Sequence, residues 1–361
     1  MQRTPRLVHP AAWWLWALGL AYAAIRTNNV LLLLTIAAVA GFVVSMRRGR
    51  APWANAYGLL LKLGVLTIVV TMVLQVLLGV RTPGHVLVRL PSAPLPHWTG
   101  GLSIGGAVTG EGLLNAFVSG LRLAVLIACF GAANALAHPA RLVRILPAAL
   151  YEVGVAVVVA MTFVPQLAES VVRVRAAQRL RGRPITGLAG LRGIVVPVLE
   201  EGLERAIALA ASMDSRGYGR HAEQPATARR VSGAGVLLGL AGAVAGTYQI
   251  ISTDAHGLGV ALLCGGTVLA VAASLLAGQR TRRTRYRPDP WRGPEWLLVG
   301  CAALVIATYA ITVHDSLGAG VALAWPTLHV LPFVATLVAA LPAVATPELP
   351  STTPRRLQAA A

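Results

Sequence analysis

Apolar runs long enough to cross a lipid bilayer recur along the whole of this chain of 361 residues. A transmembrane helix needs about 20 predominantly apolar residues to cross the hydrocarbon core. Hydrophobic residues make up 56% of the chain and charged residues only 12%, whereas a soluble domain carries about 25% charged residues. The chain is therefore an integral membrane protein, which excludes most soluble enzymes and nucleic-acid binders.

Eight of these runs are candidate spans, and they fall into two groups separated by a long polar segment. A ninth run, 149–165, is ambiguous because it lies between two arginine-bearing segments. The eight candidate spans are 11–26, 30–46, 57–79, 113–137, 231–251, 257–278, 295–313 and 320–344.

The positions of the arginines decide the topology. The net charge is +18, and Lys62 is the only lysine among the 31 basic residues. If 149–165 does not span, 26 arginines lie on one side of the membrane and three on the other. Because basic loops stay in the cytoplasm, we predict that both termini are cytoplasmic. We also predict that 149–165 is re-entrant or buried at the cytoplasmic face.

The predicted fold class is all-α: a polytopic membrane protein with about eight spans and a cytoplasmic pair of amphipathic helices. Residues 1–148 hold four spans, 149–230 the re-entrant run and the helix pair, and 231–345 four further spans. The tail 346–361 is predicted to be disordered. The outer loop 80–112 is rich in proline and glycine, which is typical of irregular structure with turns.

Two amphipathic helices are predicted within 166–230, the large segment that we assign to the cytoplasm. The first runs from about Gln166 to Arg181 and the second from about Gly193 to Arg216, and each carries an acid–arginine pair one turn apart. These pairs are Glu169 with Arg173 and Glu201 with Arg205. The apolar face of the first helix comprises Leu167, Val171, Val174 and Ala177. The heptad-like seam of the second comprises Leu199, Leu203, Ala206, Ala210 and Met213.

Both predicted helices end in the same dipeptide, Arg181-Gly182 in the first and Arg216-Gly217 in the second. One interpretation is a helix cap, because glycine adopts the left-handed conformation easily and a terminal arginine complements the helix dipole. The other is a paired device that docks two similar sites on a partner. The repetition of the dipeptide on successive helices favours the second interpretation.

On these residues the chain resembles the transmembrane T component of energy-coupling factor transporters, the EcfT/CbiQ family of vitamin and metal-ion importers. That family carries two Ala-Arg-Gly-like motifs at the ends of cytoplasmic coupling helices, and Arg181 and Arg216 fall on their arginines. Leu180 and Ser215 stand where the family often has alanine.

The resemblance extends upstream and covers about 110–220. His138-Pro139-Ala140-Arg141 opens a segment similar to the one that follows the family's central span. Further residues in the family's order are Glu152, Phe163-Val164-Pro165, Glu169 and Ala177-Gln178, and Arg122 resembles an arginine at the start of that span.

The resemblance implies a scaffold subunit of the plasma membrane that works without a cofactor. Two ABC-type ATPase subunits would bind the coupling helices at Ala177, Gln178 and the two Arg-Gly ends. Their ATP-driven motion would pass to a small substrate-binding membrane subunit, the S subunit. The chain itself has no Walker A motif, so ATP hydrolysis is assigned to the partners and the chain is not predicted to be an enzyme.

Three further charged residues are candidate contacts with the coupling machinery or another subunit: Glu152, Arg122 and Arg173. Glu152 could instead stabilise a helix N-terminus. Arg122 lies inside a span, where a buried charge indicates function, or it snorkels to the outer face.

Two rival functions stay open at this point. A membrane-embedded enzyme acting on lipid-linked substrates would need paired acids, but the sequence contains no DxxD or DxxxD cluster. A stand-alone secondary transporter usually shows inverted repeats and ionisable residues at the midplane, and no such symmetry is visible. No HxxxH or HExxH motif occurs, so a resident metal site is not predicted.

Overall fold

A computed structural model describes most of the chain and divides it into two compact units. The first unit comprises 1–142 and 288–361, and the second comprises 143–287. The structure describes residues 8–47, 56–78, 84–89, 91, 93–94, 103–137, 141–142, 151–182, 187–217, 226–252, 256–279, 291–313 and 328–346.

Helices account for most of these residues. In chain order they are α1 (Pro10–Arg26), α2 (Val30–Arg47), α3 (Ala56–Leu78), α4 (Gly110–Leu136), α5 (Tyr151–Leu180), α6 (Gly187–Ser215), α7 (Ala226–Ser252), α8 (His256–Gln279), α9 (Gly293–Thr312), α10 (Val330–Val338) and α11 (Pro342–Ala345).

In the described part of the loop 80–112 there are four short strands, so the prediction of irregular structure there is wrong in part. Strand β1 (Val86–Arg89) pairs antiparallel with β4 (Ala107–Thr109), and β2 (Ala93–Pro94) pairs with β3 (Ser103–Ile104). The β-branched residues of β1 and β4 favour this pairing. Thr109 then caps α4, since its hydroxyl accepts a hydrogen bond from the Gly112 amide at 3.2 Å.

Seven described helices are long and apolar enough to cross a membrane, which confirms the all-α polytopic class. They are Val30–Arg47, Ala56–Leu78, Gly110–Leu136, Val153–Leu180, Arg230–Ser252, Gly257–Leu276 and Gly293–Thr312. The first predicted span corresponds to α1, which has 17 residues. The last corresponds to the shorter apolar segment Val330–Ala345, and 314–327 lie outside the described residues.

The predicted helix boundary near Gln166 is wrong. The structure has one helix of 30 residues, α5, which continues through Pro165. A proline removes a single backbone hydrogen bond, so a helix of this length can continue through it. The re-entrant placement of 149–165 stays a prediction.

The first unit holds a buried apolar core between α1, α2, α4 and α9. Trp16 and Leu20 of α1 and Ile36 of α2 are almost completely buried there, together with Val125 of α4 and Val305 of α9. The indole Nε1 of Trp16 also donates to the Ala339 carbonyl at 2.9 Å.

Helix α9 packs closely on α1 at Gly19. A Cβ added at that glycine would lie 2.9 Å from Cβ of Ala302 and 3.0 Å from its Cα. Small residues allow such close contact between helices in membranes. Arg26 ties the far end of α1 to α9, because its guanidinium donates to the Val313 carbonyl at 2.9 Å.

In the second unit, α7 and α8 form a closely packed pair. A Cβ at Gly246 would lie 2.4 Å from the Leu263 amide nitrogen, and one at Gly242 would lie 3.3 Å from Cα of Gly266. The Gly242-x-x-x-Gly246 spacing therefore marks a helix contact. The predicted grouping of 231–345 stays a prediction, and by internal contacts α9 to α11 belong to the first unit.

Candidate functional site

The candidate site is the α5–α6 helix pair, in which the two helices share a narrow buried contact. Ser170 of α5 is fully buried, and Ile194 and Val198 of α6 are nearly so. At Gly202, an added Cβ would lie 3.2 Å from Cδ2 of Leu167. A small residue at that point therefore lets the two antiparallel helices approach each other.

An ion cluster centred on Glu201 links the two helices. Its Oε1 atom accepts hydrogen bonds from Arg173 of α5 at 2.7 Å and from Arg205 of α6 at 2.8 Å. Arg173 also donates to the Ser170 hydroxyl at 2.9 Å. A hydrogen bond from Ser170 and the charges of the two arginines lower the pKa of Glu201, so this carboxylate stays charged at neutral pH.

The cluster contains one of the two predicted ion pairs, and it gives the arginine of the other pair a different partner. Glu201 and Arg205 are linked one turn apart, as predicted. Arg173, predicted to pair with Glu169 on its own helix, makes its ion pair with Glu201 on the neighbouring helix. Tertiary packing brings the Glu201 carboxylate to the face of α5 that carries Arg173.

A second polar link joins the end of α5 to the beginning of α6. The Gln178 amide Nε2 donates to the Gly193 carbonyl at 3.2 Å. In an α-helix, the carbonyl of residue 193 would accept from the amide of residue 197. Residue 197 is a proline inside α6 and has no N–H, so Gln178 supplies a donor that the helix lacks.

Both Arg-Gly ends have the same backbone geometry. Gly182 has φ +66° and Gly217 has φ +75°. The Gly182 amide donates to the Arg179 carbonyl at 3.0 Å, and the Gly217 amide donates to that of Asp214 at 2.8 Å. The left-handed glycine of a helix cap is thus present at both ends.

The two arginines are exposed and lie at opposite ends of α6. Arg181 and Arg216 are both exposed, and the neighbouring Leu180 is 89% exposed. Gln178 brings the end of α5 alongside Gly193, and about 35 Å of helix separates Gly193 from Arg216. Such an arrangement can contact two separate sites but not one compact site.

Most of the predicted seam of α6 is exposed. Leu199 and Leu203 are exposed to the same degree, Ala206 and Ala210 are exposed, and Met213 is partly buried. All residues from 206 to 212 are exposed. The face of α6 that packs on α5 comprises Ile194, Val198 and Gly202 instead, so the predicted seam is free to contact a partner.

The other predicted site residues are more dispersed. Ala177 is exposed on α5, and Glu152 lies in the first turn of the same helix. Arg122 belongs to the first unit, where its guanidinium donates to the Thr27 carbonyl at 3.3 Å and to the Asn28 side chain. It thereby contacts the connection between α1 and α2.

Sequence reasoning missed Pro197, Gly193 and Ser170. The signal for the first two was present, because a proline inside a helical pattern leaves the carbonyl four residues earlier without its donor. Among the described residues, no group of three or more His, Cys, Asp and Glu side chains could hold a metal ion.

Comparison with known proteins gives one family. Residues 1–227 match the CbiQ model, described as a cobalt transport protein, and this match includes α1 to α6 and both Arg-Gly ends. No curated protein matches the chain. The family indicates a transport component rather than an enzyme, and the match covers more than half of the chain. The chain belongs to the CbiQ family of cobalt transport proteins.

Proposed function

We propose that this protein is the energy-coupling transmembrane subunit of an ABC-type importer of the energy-coupling factor class. The observation that carries the proposal is the repeated Arg-Gly end: two exposed arginines, each before a left-handed glycine. They lie at opposite ends of α6, as two equivalent contacts with a dimer require.

In the proposed mechanism, each Arg-Gly end enters a groove on one of two ATPase subunits. An arginine guanidinium offers five donors in a rigid fork that fits carboxylates. Exposed apolar residues add contact area: Leu180 lies next to Arg181, and Leu199 and Leu203 lie on the α6 seam that leads toward Arg216. The arginines set the register of the helices on the ATPases, and the apolar residues contribute most of the buried surface.

ATP binding draws the two ATPases together, and this motion displaces the α5–α6 pair. The pair passes the displacement to a small substrate-binding membrane subunit, which then releases its cargo. We assign the choice of cargo, cobalt or another metal ion or a vitamin, to that subunit. Ala177 lies on the exposed surface of α5, so we assign it to the ATPase contact, with Glu152 and Arg122 as candidate contacts elsewhere.

The test uses the full chain reconstituted with its ATPase pair and substrate-binding subunit. Arg181→Ala and Arg216→Ala are compared singly and together, with Arg175→Ala, an exposed arginine away from either end, as the matched control. Truncating one partner of a buried charged pair costs about 2–5 kcal/mol, so we expect the double variant to lose the ATPases and ATP-dependent uptake. Full retention and uptake in the double variant would assign the Arg-Gly pairs to helix capping alone.

A further inference from the structure

We propose that Gln178 and Glu201 are positioning residues that hold α5 and α6 as one rigid lever. This inference rests on the proposed function for its consequence in transport, but the rigidity itself is a property of the chain alone. Two polar links carry it. Gln178, predicted to contact the ATPases, is partly buried and donates to the Gly193 carbonyl, so we assign it to the helix pair instead.

The first link is built around a proline. Pro197 lacks an amide hydrogen, and the Gly193 carbonyl four residues earlier accepts from Gln178 of α5 at 3.2 Å. Gly193 is partly buried, and a carbonyl left without a donor where water is partly excluded is costly, so the proline in α6 favours a donor from α5. The bond lies three residues before Arg181 and therefore holds the end of α5 that carries the first Arg-Gly.

The second link is the carboxylate of Glu201, which Arg173 and Arg205 share at 2.7 and 2.8 Å. Because one arginine comes from each helix, the carboxylate fixes α6 against α5 and not only its own turn. Charged hydrogen bonds are shorter and stronger than neutral ones.

The two links are eight residues apart on α6, about 12 Å along its axis. A single contact lets two crossed helices pivot, whereas two separated contacts fix their angle. From 206 to 212 every residue of α6 is exposed, so this stretch gains little support from α5. The position of Arg216 relative to Arg181 therefore depends on the links, and a loose pair would bend instead of transmitting the motion of the ATPases.

The primary test measures a distance distribution in the isolated chain. Cys129, Cys264 and Cys301 are replaced with alanine, spin labels are placed at Leu180→Cys and Ser215→Cys, and double electron–electron resonance is recorded in nanodiscs. Gln178→Ala should broaden the distribution, and Gln166→Ala, at an exposed glutamine of the same helix, should not. An unchanged distribution in Gln178→Ala overturns the role of Gln178.

A double-mutant cycle tests the link to the proline. Pro197→Ala restores an amide that can donate to the Gly193 carbonyl within α6. Gln178→Ala should therefore broaden the distribution much less in the Pro197→Ala background than in the native one. Equal broadening in both backgrounds would show that Gln178 does not act through this carbonyl, and would overturn the first link.

A third pair of variants tests the cluster. Glu201→Gln should broaden the distribution, whereas Glu200→Gln, an exposed neighbour, should leave it unchanged. If both behave alike, the second link is overturned. These measurements need no partner, so they stand even if the chain binds no ATPase.

In the complex with its partners, ATPase binding and the positioning role of Gln178 can be measured separately. Gln178→Ala leaves both arginines in place, so the ATPases should stay bound while uptake per ATP hydrolysed falls. Loss of ATPase binding together with uptake would place Gln178 in the docking surface and contradict a positioning role. Failure of the wild-type chain to bind any ATPase would contradict the proposed function but not the rigid pair.

Discussion

The core of the first unit and the α5–α6 pair of the second are held together in different ways. In the first unit, α1, α2, α4 and α9 bury large apolar side chains such as Trp16 and Leu20. In the α5–α6 pair, the buried contact between the two helices is narrow, and Gln178 and the Glu201 cluster supply specific polar links. Apolar packing thus holds the first set of helices, whereas a few directed bonds orient the second.

The difference teaches where a partner can bind. The core helices of the first unit expose apolar side chains as well, among them Leu18, Leu34 and Ile311. The α5–α6 pair leaves Leu180, Leu199 and Leu203 exposed next to charged residues. A surface of this mixed character is typical of a protein interface rather than of lipid contact alone. The comparison leads to four predictions, from the largest expected effect to the smallest.

Truncating a leucine to alanine should cost far more stability in the first unit than in the α5–α6 pair. Leu20 is 1% exposed, and Leu20→Ala should lower the free energy of unfolding by about 2–5 kcal/mol, because it leaves a cavity. Leu203 is 64% exposed, and Leu203→Ala should change stability by less than about 0.5 kcal/mol. Thermal unfolding of the purified chain in detergent measures both. Equal losses would mean that α6 is packed as tightly as α1.

Added volume at the α1–α9 contact should also destabilise the first unit. Gly19→Ala places a Cβ 3.0 Å from the backbone of Ala302, and overpacking typically costs about 1–3 kcal/mol. Gly300→Ala is the matched control on α9, since nothing lies within 4 Å of its added Cβ. The melting temperature should fall only for Gly19→Ala, and a fall for both would indicate a general effect of alanine.

The left-handed glycines of the Arg-Gly ends should matter for their conformation and not for space. Nothing lies within 4 Å of a Cβ added at Gly182, Gly217 or Gly233. Only the first two have positive φ, where an L residue loses about 1–2 kcal/mol. Gly182→Ala and Gly217→Ala should therefore weaken ATPase retention, whereas Gly233→Ala should not. Normal ATPase retention in all three variants would show that docking does not depend on the left-handed cap.

The smallest effect concerns the loop between α3 and α4. The His85 amide donates to the Glu111 carboxylate at 2.8 Å, and ring nitrogen Nδ1 lies 2.9 Å from the same group. The hydrogen bond and charge of Glu111 raise the pKa of His85. The stabilisation is therefore complete below the ordinary histidine pKa of about 6.5 and is lost as the pH rises through the raised value.

The melting temperature of wild type and His85→Gln tests this prediction. The difference should be present at about pH 5.5 and disappear at about pH 8.5, where histidine is neutral. A difference that grows with pH would reverse the sign and contradict the pairing.

Much of this architecture could be predicted from the sequence, since long apolar runs mark the helices that can cross a membrane. The Arg-Gly ends were also predictable, because glycine marks the helix end locally. The α5 boundary was not, because Pro165 resembles a helix breaker and only the structure shows that the helix continues through it. The partners of Arg173 and Gln178 could not be predicted either, since both depend on which face of α6 packs against α5.

The central claim is that each Arg-Gly end contacts a different ATPase subunit. The most direct measurement places a photo-reactive cross-linker at Leu180→Cys or Ser215→Cys, in a chain without its native cysteines, and identifies the linked subunit by mass in the complex with two distinguishable ATPases. The account predicts that position 180 links one ATPase and position 215 the other, and that Arg181→Ala or Arg216→Ala abolishes only the link at its own end. Both positions linking the same subunit, or neither linking any, would contradict it.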